Sequence, residues 1–327
     1  MPMLKTLARR ENDEPAFQGG RALCRGCGIP MVVHTVLDSI DTPVVVVTAT
    51  GCLEVATTRY PHSTWNVPWL HVAFENAAAA VSGIEAAYRA LRSRGTLPVD
   101  TPITFVVFAG DGGTYDIGLQ SLSGALERGH RFVYVCYDNE AYMNTGNQRS
   151  GATPLGADTT TEPAGSMSFG KHVGRKDITA IAVAHNIPYV AQASISHWQD
   201  LSDKAERAAR AEGPAFLNVM STCQLGWRHP PRLALRVAWL AVQTRYWPLY
   251  EVVRGYYRLT EPPRIREPIE SWLETQGRFR HLFAPEHCSA ISEIQQRVDA
   301  QWEALLARCR ADAWAFESDG SLRAEAL

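Results

Sequence analysis

ITFVVFAGDGG, residues 103–113, runs without a charge until a single aspartate bracketed by glycines. Its β-branched and aromatic residues show no polar alternation, the pattern of a strand covered on both faces, and the glycines mark the turn out of it. The same signature recurs along the chain. PVVVVTAT (43–50), RFVYVCYDN (131–139), YVAQAS (189–194) and AFLNVMS (215–221) read as buried strands. Between them ENAAAAVSGIEAAYRALRSRG (75–95), DIGLQSLSGALERG (116–129) and DLSDKAERAARAEG (200–213) read as helices, with DITAIAVAHNI (177–187) resuming the alternation after a long break. Strands separated by helices predict an α/β fold, a doubly wound and mostly parallel sheet.

In such sheets ligands bind outside the carboxyl ends of the strands, and Gly110-Asp111-Gly112-Gly113 stands at one of those ends. A lone GDG is commonly only a turn. The next strand, however, ends in Asn139, twenty-eight residues beyond Asp111, and adjacent parallel strands bring their carboxyl ends side by side. A carboxylate, an amide oxygen, a backbone carbonyl near Ala141 and two diphosphate oxygens would nearly fill the octahedral oxygen shell that Mg²⁺ requires. The pairing resembles the GDG-spacer-N arrangement of thiamine diphosphate enzymes, and no GxGxxG points instead to a dinucleotide.

Bulk properties narrow the class. The 327 residues are 46% hydrophobic and 20% charged, enough for one large core or two modest ones, and the formal charge of -2 argues for neither nucleic acid nor an anionic membrane as partner. The opening MPMLKTLARREND lacks the apolar core of a secretory signal, and no apolar run is long enough to span a bilayer, so a cytoplasmic location is expected. The polar residues 1–20 read as an N-terminal arm, 21–260 as the α/β domain, and 261–327, after a cluster of prolines, as a helical C-terminal extension that wraps a partner or the domain itself. Residues 143–175 form a Gly/Thr/Ser/Pro-rich loop, and a loop of that length in a compact domain is usually functional.

Seven cysteines in a reducing compartment call for an explanation other than disulfides. Cys24 and Cys27 precede the first strand, Cys52 follows it, and Cys223 follows AFLNVMS, so each lies beside an element end that faces the sheet's carboxyl edge. Four thiolates suit a structural zinc or an iron–sulfur cluster, and spacing alone does not separate the two. Cys136 reads as a small buried hydrophobe, and Cys288 and Cys309 have no partner pattern.

Taken in order, CRGCG (24–28), ATGC (49–52), GDGGTYDIG (110–118), DNEAYMNTG (138–146), STCQLGW (221–227) and WPLYE (247–251) resemble the thiamine-diphosphate-binding β subunit of the 2-oxoacid:ferredoxin oxidoreductases, pyruvate type, over roughly residues 20–283. The resemblance implies oxidative decarboxylation of pyruvate with coenzyme A to acetyl-CoA and CO2, the electrons leaving through a [4Fe–4S] cluster to ferredoxin or flavodoxin. It implies that Cys24, Cys27, Cys52 and Cys223 hold the cluster, and that Asp111, Asn139 and the Ala141 carbonyl hold Mg²⁺. Gly28, Gly51, Cys52, Gly110, Gly112, Gly113 and Thr145 would contact thiamine diphosphate, and Asn144 would face its reacting end as the catalytic residue. NTGNQRSGATPLGA would close over the cofactor. A partner α subunit would bring the pyrimidine-binding domain and the activating glutamate, and γ and δ ferredoxin-like subunits would complete the complex. Relatives with this core use aromatic (phenylglyoxylate), branched-chain or dicarboxylic (2-oxoglutarate) 2-oxoacids. Two readings of other classes compete: a non-oxidative thiamine decarboxylase or carboligase, which leaves four cysteines idle, and a zinc-stabilised scaffold.

Several other residues have plain readings. Glu54 and Glu75 read as a loop and a helix-start carboxylate, and His34 and His185 as core or surface histidines. His62, Trp65, Trp69 and His71 read as a loop after Cys52 that either shields the cluster or touches substrate.

Overall fold

The computed structural model describes residues 14–97 and 102–326. The first thirteen residues of the expected arm lie outside them. Within the described part, Phe17 is already buried, packed on Trp65 and bridged to it through the backbone.

In chain order the strands are β1 (Val44–Ala49), β2 (Trp69–Val72), β3 (Thr104–Gly110), β4 (Val133–Asp138), a two-residue ribbon of β5 (Ala164–Gly165) and β6 (Ser168–Phe169), β7 (Tyr189–Ser194), β8 (Ala215–Met220), β9 (Leu249–Val253) and β10 (Tyr256–Glu261). Eight of them form one sheet in the order β10-β9-β7-β8-β4-β3-β1-β2. From β2 to β7 all pairs are parallel, as expected, and β9 and β10 add an antiparallel hairpin at one edge. The loop expected at YPHSTWNVPWLH instead contributes β2, with Trp65 and Trp69 stacked at 5.9 Å and their ring nitrogens donating to Thr57 and Thr48. Those tryptophans pack the sheet edge.

Helices Ile29–Asp38 and Trp198–Arg210 pack together on one face, and Ala77–Ser93, Leu119–Glu127 and Ile178–Val183 lie against the other. The small residues of Ala77–Ser93 allow close approach to the sheet and to Leu119–Glu127. Covering both faces leaves Val106, Val107 and Phe108 of β3 wholly buried, each side chain contributing about 1.5–3 kcal/mol of apolar burial. Beyond the sheet, helix Cys288–Ala311 sets Ile291, Ile294 and Val298 into the same core as Ile29–Asp38, and Leu305 into the opposite one.

The topology fixes where a ligand can go. From β1 the chain runs outward to β2 on one side and returns to β3 on the other, so the strand order reverses between β1 and β3. The crevice outside their carboxyl ends is the switch point at which such folds bind ligands. Gly51 follows β1, and Gly110 ends β3.

Candidate cofactor and metal site

After β3 the chain does not make the simple turn that the glycines suggest. Gly112–Ile117 winds as a π-helical turn before the regular helix begins, a form that concentrates at functional sites. The glycines are needed because neighbours crowd them: a Cβ on Gly112 would lie 2.3 Å from the Tyr142 ring, and one on Gly113 would lie 3.0 Å from the Phe74 carbonyl. Thr50, Gly51, Cys52, Gly110–Gly113, Tyr137, Asn139 and Ala141–Thr145 line one narrow cleft. Gly28 stands apart from that lining, beneath the cysteine turn, where a Cβ would lie 2.9 Å from Ser221 Oγ and from the Thr222 backbone nitrogen.

Asp111 is buried, and its two oxygens are divided between tasks. Ser150 Oγ donates to Oδ2 at 2.5 Å, and the Asn139 backbone N–H faces Oδ1 at 3.3 Å. One terminal atom of the Asn139 amide stands 3.0 Å from Asp111 Oδ1 and 2.9 Å from the Ala141 carbonyl oxygen. With nitrogen in that place the amide donates to both oxygens. With oxygen there, three oxygens from a carboxylate, an amide and a carbonyl converge, which is the donor set of a hard cation such as Mg²⁺. The residues therefore fit the ion. Burial, and then the charge of Asp138, pushes the Asp111 carboxyl well above its ordinary range, so an unaccompanied negative charge is costly there and a cation would relieve it.

Glu140, between the two metal-side residues, has φ of 67°, a left-handed backbone that a side chain tolerates poorly. Its carboxylate is fully buried and held by Arg278 at 2.5 Å, Tyr246 at 2.7 Å and Arg175 at 3.4 Å. Arg175 also pairs with Asp138 at 2.7 Å, and Asp138 accepts from Tyr115 at 2.5 Å. Burial pushes Asp138 up to about 6 even with Arg175 opposing. These bonds clamp the turn that aims the Ala141 carbonyl back at Asn139.

The long loop is tied to the same point. Ser150 reaches Asp111, Thr153 Oγ1 donates to the Glu140 carbonyl at 2.6 Å, and the buried Lys171 ammonium donates to the Thr153 and Ser150 carbonyls. Asn144 and Thr145 are exposed at the mouth of the cleft, Thr145 bonded to Gln148. Ser150, Arg175, Tyr246 and Arg278 escaped the sequence reading, because no local spacing marks them.

The four cysteines gather beside this cleft. Cys24 and Cys27 close a turn through the Cys27 N–H and Cys24 carbonyl, and the Gly28 N–H binds the Thr222 carbonyl at 3.1 Å, which joins the turn to the end of β8. Burial pushes the Cys27 and Cys52 thiols up to about 12, and the neighbouring cysteines add to it in both cases. Flanking Cys223, the buried hydroxyls of Ser221 and Thr222 have no hydrogen-bond partner among the described residues. No three His, Cys, Asp or Glu side chains among the described residues surround a point where a single ion could sit. Four neighbouring thiols of this kind are a donor set for soft metal chemistry.

The discounted residues are in ordinary surroundings. Glu54 is buried against Thr58 at 2.7 Å and His71 at 3.2 Å, and His185 bonds Ser123 and the Ile181 carbonyl. Cys136 is buried in β4. In a second cleft, Arg175 is paired with Asp138, Arg245 with Asp299, and Arg308 donates to the Tyr257 hydroxyl.

The family model of the thiamine pyrophosphate enzyme, C-terminal TPP binding domain, matches residues 49–219, more than half of the chain. The pyruvate synthase subunit PorB of Thermotoga maritima is 50% identical over 312 residues, 94% of this chain and 96% of its own length. This chain belongs to the PorB family, the β subunits of the 2-oxoacid:ferredoxin oxidoreductases. Its members include enzymes of other substrates: the ketoisovalerate oxidoreductase subunit VorB of Pyrococcus furiosus is 41% identical over 294 residues, 89% of this chain and 93% of its own length. The fold is shared with a solved 2-oxoglutarate:ferredoxin oxidoreductase of Magnetococcus marinus, at a TM-score of 0.53 and 21% identity over 70% of this chain and 81% of that one. As a PorB-family chain it is a thiamine-dependent enzyme subunit, and thiamine diphosphate is its cofactor, as the motifs imply. Among the described residues no helix is long and apolar enough to cross a membrane.

Proposed function

We propose that this chain is the catalytic β subunit of a cytoplasmic pyruvate:ferredoxin oxidoreductase, catalysing pyruvate + CoASH → acetyl-CoA + CO2 + H⁺ with two electrons passed to ferredoxin or flavodoxin. The observation that carries the reading is the meeting of Asp111, Asn139 and the Ala141 carbonyl within 3.0 Å at the β1/β3 switch point, with four cysteines beside it. Asp111 Oδ1, Asn139 and the Ala141 carbonyl would hold Mg²⁺, while Ser150 fixes Asp111 by its other oxygen. Gly51 and Gly110–Gly113 let backbone N–H groups approach the diphosphate. When bound, thiamine diphosphate supplies the electron sink that lets the carboxylate leave as CO2, and the [4Fe–4S] cluster on Cys24, Cys27, Cys52 and Cys223 supplies the one-electron acceptor.

Asn144 is exposed at the mouth of the cleft, and by the DNEAYMNTG motif it would be the residue nearest the reacting end of the cofactor. No glutamate lines the cleft among the described residues, which supports an α subunit bringing the activating glutamate and the pyrimidine-binding domain. Ferredoxin-like γ and δ subunits carry the electrons onward.

Anaerobic co-purification with the neighbouring subunits, followed by a panel of 2-oxoacids, tests this. A brown complex that reduces ferredoxin fastest with pyruvate and coenzyme A is expected. Equal or faster rates with phenylglyoxylate, 2-oxoisovalerate or 2-oxoglutarate would overturn the substrate, and colourless protein with one zinc per chain would overturn the cluster.

A further inference from the structure

Tyr137, the penultimate residue of β4, has a side chain that the functional reading leaves unused. It is 1% exposed, and its hydroxyl has the Leu53 backbone N–H directed at it but no acceptor for its own proton among the described residues. A hydroxyl both donates and accepts, so a buried one whose proton has no acceptor calls for one that the bare chain does not contain. The phenol lies across Gly51, which follows β1, and Gly110, which ends β3. A Cβ on Gly51 would be 2.9 Å from the hydroxyl oxygen, and one on Gly110 would be 3.2 Å from the ring. The phenol thus fills the gap between the strand ends at the switch point, and Tyr137 is among the residues that line the same cleft as Gly110–Gly113.

The other hydroxyls that line this cleft are committed: Thr50 donates to the Val72 carbonyl, Tyr142 to the Gly112 carbonyl and Thr145 to Gln148. Among the described lining residues only Tyr137 retains a free hydroxyl proton.

We propose that the Tyr137 hydroxyl donates a hydrogen bond to an oxygen of the bound diphosphate, adding one side-chain donor to a cradle of backbone donors. The inference rests on the placement of the diphosphate at Gly51 and Gly110–Gly113. Another acceptor in the same wall is the sulfur of Cys52, next to Gly51, close enough to act on Tyr137. A phosphate oxygen is favoured because a charged oxygen is the stronger acceptor, whereas a sulfur accepts weakly.

The test uses the assembled complex, stripped of thiamine diphosphate and Mg²⁺ and kept anaerobic. Wild type, Tyr137→Phe and Asp111→Ala are titrated with thiamine diphosphate at saturating Mg²⁺ by calorimetry, and the cluster's midpoint potential is measured by EPR-monitored redox titration. Tyr137→Phe keeps the ring and should weaken the cofactor by about tenfold, the scale of one hydrogen bond to a charged acceptor, with the midpoint unmoved. Unchanged cofactor affinity overturns the proposal, and a shifted midpoint with unchanged affinity would assign the bond to the sulfur instead. If Asp111→Ala also binds thiamine diphosphate as wild type does, the cradle itself is misplaced. Failure in Tyr137→Phe alone removes only this hydrogen bond.

Discussion

The Asp111 cleft and the cysteine quartet lie side by side on one sheet edge, but they are built on opposite plans. Around Asp111 the side chains are already engaged: Ser150 on its carboxylate, Thr153 on the Glu140 carbonyl, two arginines and a tyrosine on Glu140. Around the cysteines little is engaged. Cys24 is exposed, Cys223 has the backbone N–H groups of Gly226 (3.4 Å) and Leu225, Cys27 has that of Ile29, and the hydroxyls of Ser221 and Thr222 have no partner among the described residues. On the proposed reading, the first site is organised by its own side chains, and the second would draw more of its cohesion from the cluster. Losing the cofactor should therefore leave the fold intact, while losing the cluster should loosen the turn that carries Cys24 and Cys27.

The largest expected effect breaks the first site. Asp111→Ala removes the one charged ligand, so affinity for Mg²⁺ and thiamine diphosphate in the complex should fall by more than about 100-fold, the upper scale for disrupted metal sites. The visible absorption of the cluster should remain. Loss of both together would mean that the two sites do not form independently. Cys223→Ala is the mirror image. It should abolish the cluster's absorption and ferredoxin reduction while thiamine diphosphate still binds in a calorimetric titration. Protease sensitivity near Cys24 should rise, and an unchanged cleavage pattern would argue that the turn holds without its cluster.

These two variants rest on residues that a bare sequence displays, and there is a physical reason. Cysteines, a glycine-flanked aspartate and an asparagine at a strand end carry chemistry in their residue type, and parallel strands place their ends together whatever the helices between them do. The clamp around Glu140 is different. Arg278 lies 138 residues away and Arg175 lies 35, with no motif to join them to Glu140. Their pairing depends on how the C-terminal segment folds back over Trp227, where the Arg278 guanidinium stacks at 4.1 Å. The fold was likewise legible where strands are buried on both faces, and illegible at β2 and β10. β2 is short and both edge strands are only partly covered, so they lack the apolar run that betrays the others.

Arg278→Met sharpens the comparison by loosening the clamp without touching a ligand. Removing one member of a buried pair leaves Glu140 without its closest counter-charge, at a cost of about 3–5 kcal/mol. Mg²⁺ affinity should fall by about tenfold, as for other groups that orient metal ligands. Glu140→Gln combined with Arg278→Met should recover much of the thermal stability but not the metal affinity, because the neutral amide tolerates the missing cation and the turn stays loose. Equal recovery of both would mean that Glu140 contributes burial charge alone and does not aim Ala141.

The smallest expected effect probes how far the engaged site extends into the long loop. Lys171 is buried with only carbonyl oxygens as partners, and burial, then Arg149, lowers its ammonium to about 8 from 10.5. Below about pH 8 both the folded and the unfolded chain carry this proton, so the buried charge is a standing cost. Between about 8 and 10.5 the unfolded chain binds more protons than the folded one, and the contribution of this group to stability therefore rises with pH. Lys171→Met removes that dependence. From pH 7.5 to 10, the thermal midpoint of the wild type should gain roughly 4–8 °C on that of the variant, the response expected of a large domain to a change of about 2 kcal/mol. A gap that stays constant across that interval would show that Lys171 keeps its ordinary affinity for protons. The loop behind Ser150 would then be more open to water than the tightly bonded cleft it supports.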